Sequence, residues 1–283
     1  MTALTEQLGY GPDARLLIIN ADELGFCHAT NVGVYEALRR GAASSASLMV
    51  PCPWAREAAA RYRGEDIGVH LTLNAEQELY RYGPITHAPS LLGGDGGFPA
   101  TVEDVWDHAD LDETRRECRA QIERAILWGF DVSHLDAHLT TLQLRPEFFD
   151  IYLELAVEFQ LPLRMVDDHL HRLLGFPAVE LARNAGAVFS DHLVSLPGGA
   201  TAAMLEAVLE RLEPGVTELH LRPAVDTDEL RALAPDWAER VGDHQLLCGD
   251  PNPRAMAEAM GIEVIGFRAL RAVARSGADD PIS

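Results

Sequence analysis

The chain has no lysine at all: its 23 strongly basic side chains are all arginine, and they face 44 aspartates and glutamates. The resulting net charge of −21 argues against nucleic acid and against anionic membrane surfaces, since both require a broad basic face. Long apolar runs are missing too, so no membrane span is expected. The opening "MTALTEQLGYGPDARLL" has no basic leader ahead of an apolar stretch, so no signal peptide is expected either. Cysteine is scarce. Cys27, Cys52, Cys118 and Cys248 are scattered without a CxxC pair and read as reduced thiols of a cytoplasmic protein. Cys27 lies near an acidic pair, but a buried cysteine is more often inert than nucleophilic.

What is present is an ordinary globular composition, 47% hydrophobic over 283 residues, enough for a sizeable core. Short apolar, β-branched runs alternate with longer segments of helical spacing. The runs are Leu16–Asn20, Ala46–Val50, Ile67–Leu73, Val132–His138, Leu161–Val166, Val188–Val194, Thr217–Leu221 and Glu263–Phe267. Helical spacing marks Asn31–Arg40, Leu111–Trp128, Pro146–Phe159, Ala203–Leu212 and Pro253–Met260. This alternation predicts an α/β fold with a mainly parallel sheet, and about eight strands favour a distorted TIM-like (β/α) barrel. One domain is expected, with its barrel core over about 15–270. Residues 75–100, containing "LLGGDGGFPA", are expected to form a long mobile loop, and 275–283 a frayed tail.

The first run raises the functional question. "RLLIINADELGF" ends an apolar strand on two adjacent acids, Asp22 and Glu23. Other strands also end in polar groups: His70 in the third, His134, Asp136 and His138 in the fourth, His220 and Arg222 in the seventh. The carboxyl ends of barrel strands converge on one face, where carboxylates and imidazoles together suit a divalent metal with a free carboxylate beside it. In that arrangement one acid binds the cation while its neighbour takes a proton from water. A plainer reading exists for each. Asp22 could cap the next helix, and His70 could be a hydrogen-bonded core residue. "HLDAH" is harder to explain away, because alternation puts His134, Asp136 and His138 on one face and their burial demands partners. Arg240 and Asp243 are a further candidate pair, for stability or for substrate.

These segments, in this order, resemble the YdjC/ChbG-like family of carbohydrate deacetylases. The family's Asn-Ala-Asp-Asp-Phe-Gly strand end is matched by Asn20 to Gly25, its Gly-x-His by Gly68 to His70, and its His-x-Asp-Ser-His by His134 to His138. Its late Glu-Leu-x-x-His-Pro segment is matched by Glu218 to Pro223. The likeness runs from about Arg15 to Phe267. It implies a distorted (β/α) barrel that removes N-acetyl groups from amino sugars with a divalent metal, magnesium or zinc. Carried over by position, Glu23, His70 and His138 would bind the metal and Asp22 would be the base. Asp136, with His134, would orient neighbouring groups, and His220 and Arg222 would line the substrate side. Three departures stand out. Glu23 replaces an aspartate, "LTTLQL" replaces a histidine-rich continuation, and the late histidine aligns with Arg222 while His220 lies two positions earlier. Arginine does not serve as an acid near neutrality but could hold an anion. These departures bear on the substrate more than on the metal. The expected partner is a small amino-sugar-like molecule, and a homodimer is a reasonable expectation. Two other functions fit the same residues: a different metal-assisted amidase or phosphoesterase, and a catalytically silent sugar-binding protein.

Overall fold

Seven strands, every pairing parallel, make up the sheet of the computed structural model, which describes residues 3–196, 199 and 201–276. They are β1 (Arg15–Leu24), β2 (Ser45–Leu48), β3 (Ile67–Leu71), β4 (Val132–Ala137), β5 (His192–Ser195), β6 (Gly215–Leu221) and β7 (Glu263–Val264). The order is β4-β3-β2-β1-β6-β5, and β7 pairs with the start of β1 through Leu16–Glu263 and Leu17–Val264. Helices separate most of the strands, including His28–Arg39, Leu111–Leu127 and Pro146–Phe159. The expected α/β class is therefore observed.

The expected strand Leu161–Val166 makes only one bridge, Leu135 to Leu163. Pro162 has no N–H to donate, so the contact reduces to Leu135 N–H donating to the Pro162 carbonyl and Arg164 N–H to the Leu135 carbonyl. Leu163 N–H in turn donates to the Val188 carbonyl, just ahead of β5. This irregular segment thus links the two edge strands, and the barrel is distorted where it does so. The run expected from Val188 enters the sheet only at His192. There Asp191 Oδ2 accepts the Val216 N–H of β6 at 2.8 Å, taking a ladder position with a side chain.

Alternation along the strands decides what the barrel holds. Leu17, Ile19 and Ala21 point outward into the main core beneath the helices. Leu16 and Ile18 point inward and pack with Val216, Phe267 and Leu270. The helix Phe267–Ser276 thus supplies part of an apolar floor. The same inward rows continue up the strands as Asn20 and Asp22 on β1, Glu218 and His220 on β6, His70 on β3 and Asp136 on β4. Those positions are read from the registers Asn20–His220, Ile18–Glu218 and His70–Asp136. An apolar floor under a polar upper layer is what a barrel with its chemistry at the carboxyl ends requires.

The long segment 75–100 is irregular apart from a short turn of helix at Pro89–Leu91. It is nevertheless anchored. Phe98 N–H donates to the Tyr82 carbonyl at 2.8 Å, and Glu117 Oε2 accepts from both Thr86 N–H and Thr86 Oγ1. The tail expected from residue 275 begins as the last turn of the helix ending at Ser276, and its remainder lies outside the described residues. Among the described residues, no helix is long and apolar enough to cross a membrane.

Candidate metal centre and acid–base site

The acidic pair lies inside β1, which runs four residues past the expected end. Asp22 caps no helix, because the next one opens at His28, with Thr30 Oγ1 accepting the Cys27 N–H. Glu23 adopts a left-handed backbone, φ 66°, as does Gly25, φ 93°. The reversal at Glu23 is uncommon for a residue with a side chain and is retained where the surroundings over-determine it. Gly25 is needed for a second reason: a Cβ there would lie 3.1 Å from Ala55 Cα and 3.2 Å from the Met49 carbonyl.

Asp22 and Asp136 face each other across a buried arginine, Arg164, which comes from the irregular segment beside β4. Its Nη1 donates to Asp22 Oδ2 at 2.8 Å and to Asp136 Oδ2 at 2.6 Å; its Nη2 donates to Asp22 Oδ1 at 2.8 Å; its Nε donates to Glu218 Oε1 at 2.7 Å. Burial alone would raise all three carboxyls. At Asp22 the guanidinium and His220 outweigh it and hold the group well below the usual range. At Asp136 burial is likewise overcome, by Arg164 and His70, and the value falls to about 2. Glu218 goes the other way: burial prevails over Arg164, so its carboxyl is raised. One guanidinium cannot hold three buried carboxylates ionised, and Glu218 is the one that retains a proton most readily.

Two imidazoles complete the layer. His70 Nδ1 lies 2.5 Å from Asp136 Oδ2, and His138 Nε2 lies 3.0 Å from Glu76 Oε2. Their remaining nitrogens, His70 Nε2 and His138 Nδ1, face each other at 3.1 Å. Each ring thus has a carboxylate behind it to hold a proton, which leaves two lone pairs directed at one another. That arrangement is repulsive unless a proton or a cation lies between them. Burial lowers the proton affinity of His70, but Asp136, Asp22 and Glu23 outweigh it, so the surroundings favour positive charge there. Two nitrogens bound at 2.0–2.1 Å to one ion stand roughly 3 Å apart at near-right to tetrahedral angles. The donor set therefore fits a divalent cation. A second group, Asp22, His70 and Asp136, also offers three ligand-capable atoms within 4.8 Å of one another. There, however, Arg164 occupies both carboxylates.

A second chain of contacts runs from the same carboxylate toward solvent. Asp22 Oδ2 is 3.3 Å from His220 Nδ1, and His220 Nε2 is 2.6 Å from Ser195 Oγ. All three residues line a cavity of about 360 Å³ that also reaches His70, His138 and Arg222. Glu23 pairs with Arg240, whose Nη1 lies 2.5 Å from Oε2, and Arg222 Nη1 stands 3.8 Å from Oε1. Arg240 therefore pairs with Glu23 and Asp236 rather than with Asp243, which accepts the Arg222 N–H instead. His134 shares the inward face of β4, as expected. It is placed lower, stacked on Phe267 at 3.8 Å, with Ser133 Oγ beside Nδ1 and, among the described residues, no hydrogen bond to His70 or His138.

Of the residues expected at the site, Asp22, His70, Asp136, His138 and His220 are linked by close contacts, whereas Glu23 borders the same cavity but pairs with Arg240 and Arg222; Arg164, Glu76 and Ser195 were not expected. Arg164 had left a signal, a charged residue within the apolar run "LPLRMV". Glu76 had left none, being one acid in an irregular segment.

A parallel α/β barrel that gathers histidines and carboxylates at the carboxyl ends of its strands has the layout of an enzyme active site. Comparison with known proteins narrows this. The chain matches the YdjC-like protein family over residues 16–258 and belongs to it. It is 35% identical over 277 residues to a carbohydrate deacetylase of Thermus thermophilus, covering 95% of this chain and 98% of that one. It is 29% identical to a carbohydrate deacetylase of Geobacillus stearothermophilus, covering 90% and 97%. A crystal structure from Enterococcus faecalis V583, provisionally described as a cellobiose-phosphate cleavage protein, superposes with a TM-score of 0.80 at 25% identity over 91% of this chain and 99% of that one.

Proposed function

We propose that the protein is a metal-dependent hydrolase that removes an N-acyl group, such as acetyl, from an amino sugar or a similar small polar molecule. The observation that carries this reading is the facing pair His70 and His138, each backed by a carboxylate on its other nitrogen. That arrangement is the usual support of imidazoles that bind a metal. Kinship with carbohydrate deacetylases supplies the substrate class. His70, His138 and the Glu23 carboxylate would hold the cation. When bound, a divalent ion there polarises a carbonyl and makes water more acidic.

The chain's own residues would do the remaining work. Asp22, fixed by two guanidinium contacts, stays ionised and serves as the anionic half of an acid–base pair with His220. Water adds to the acyl carbon as this pair accepts its proton, and the C–N bond then breaks as His220 returns a proton to the departing nitrogen. A carboxylic acid and a free amine result. Arg164 keeps Asp22 from turning away, and Arg222 with Ser195 borders the substrate. The test is Asp22→Asn, which should abolish acetate release from N-acetylated sugars without changing bound metal. Normal turnover by that variant would remove Asp22 from the chemistry.

One observation favours a second reading. Asp22, His220 and Ser195 are connected in the order of a serine-hydrolase triad, aspartate on Nδ1 and hydroxyl on Nε2. If Ser195 were the nucleophile, Ser195→Ala would be inactive and a fluorophosphonate probe would label the wild type at that residue. The metal-dependent reading expects an active Ser195→Ala variant, no labelling, and loss of turnover on chelation.

A further inference from the structure

Glu23 lines the same cavity as His70 and His138 and is paired on its other side with a fixed cluster of arginines. Arg240 is 1% exposed, and its Nη1 lies 2.5 Å from Glu23 Oε2. Its Nε is 2.9 Å from Asp236 Oδ1, and its guanidinium carbon is 5.2 Å from the centre of the Phe26 ring. Asp236 Oδ2 lies 2.9 Å from Arg222 Nη1, the same nitrogen that stands 3.8 Å from Glu23 Oε1. One aspartate therefore ties two guanidiniums together, and both approach a single carboxylate. Burial, ring contact and two ion pairs hold Arg240 in this position.

We propose that Arg240 sets the cation affinity of the centre, by holding Glu23 in the cation-free protein and by repelling the ion that replaces it there. This rests on the reading that Glu23, His70 and His138 hold the metal. A carboxylate already shared with two guanidiniums has little negative charge left for a divalent ion, and the repulsion between like charges in a buried site is weakly screened. The ion must either displace Arg240 from Oε2 or share that carboxylate with it. In both cases Arg240 weakens binding. It is a positioning residue and does not touch substrate.

Titration calorimetry of the purified full chain with Mn²⁺, and separately with Zn²⁺, tests this without reference to turnover. Arg240→Met keeps an aliphatic stem against Phe26 and removes the charge; it should bind tenfold or more tightly than wild type. Arg240→Gln keeps a donor for Glu23 without the charge and should shift affinity in the same direction, which covers the case in which the methionine variant fails to fold. His138→Asn tests the underlying assignment and should bind at least tenfold more weakly than wild type. Unchanged or weaker binding by both Arg240 variants, with His138→Asn still impaired, overturns the proposal and leaves the metal assignment standing. Wild-type affinity in His138→Asn, or no binding by any of the proteins, overturns the metal assignment and the proposal with it.

Discussion

His70 Nε2 and His138 Nδ1 face each other at 3.1 Å, although 68 residues separate them in the chain. They come from adjacent strand ends, and each ring is steered by a different carboxylate: Asp136 on the neighbouring strand for His70, and Glu76 from the irregular segment 75–100 for His138. Glu76 illustrates how the segment works. Burial would raise its carboxyl, but His138 and its hydrogen bonds bring it down to about 2, which favours the anion.

Glu76→Gln should therefore loosen the His138 ring without disturbing the barrel. Loss of such an orienting carboxylate typically costs about 10- to 100-fold in metal affinity or activity. We expect that drop in kcat/KM for acetate release, together with weaker Mn²⁺ binding by calorimetry. The melting temperature should shift little, because the Glu76 side chain is partly exposed and lies outside the sheet. Full activity in the variant would mean that His138 needs no such support.

Arg164 makes a contrasting prediction. It is buried with Asp22, Asp136 and Glu218, so its removal strands three carboxylates around one vacancy. Breaking a buried ion pair from one side costs about 3–5 kcal/mol. Arg164→Met should lower the unfolding free energy from urea titration by an amount in that range, and Arg164→Lys should recover only part of it, since an ammonium cannot make the two-pronged contact with Asp22. A midpoint close to wild type in the methionine variant would show that the carboxylates find other partners or simply take up protons.

The Gly-x-His element gives a steric prediction. A Cβ on Gly68 would come within 2.4 Å of His134 Nδ1 and 2.5 Å of the His134 carbonyl oxygen. Gly68→Ala thus overfills the interior, and such crowding costs about 1–3 kcal/mol. Combining it with His134→Ala should restore only part of the loss, because the carbonyl contact remains. Equal stability of wild type and Gly68→Ala in denaturant titration would contradict this packing.

How far these relationships were legible in the sequence depends on their range. Strand alternation alone placed His134, Asp136 and His138 on one face, and the apolar run before Asp22 located the central strand. Alternation gives the face but not the depth, so it could not separate His134, which stacks on Phe267 near the floor, from Asp136 in the upper layer. Arg164 was visible only as a charge inside an apolar run, and its three partners come from strands far away in sequence. Glu23 shows the same limit. Its departure from the aspartate of the resembling family is a single methylene on the page, and only the fold reveals that Arg240, 217 residues later, meets that carboxylate.

His134 also makes a pH prediction. Burial and then the nearby Arg164 push its imidazole down to about 3, against an unfolded value near ~6.5. Below about pH 6.5 the unfolded chain binds a proton that the folded chain refuses. The stability conferred by the neutral ring is therefore complete above that pH and is lost progressively as pH falls toward 3. The slope approaches about 1.4 kcal/mol per pH unit for this one proton. His134→Gln, neutral throughout, removes the term. Between pH 6.5 and 4.5, above the range in which ordinary carboxylates titrate most strongly, the wild-type unfolding free energy should fall more steeply than that of the variant, by about that slope. Parallel curves for the two proteins over this window, measured by urea denaturation, would show that the ring gains a proton in the folded barrel as easily as in the unfolded chain.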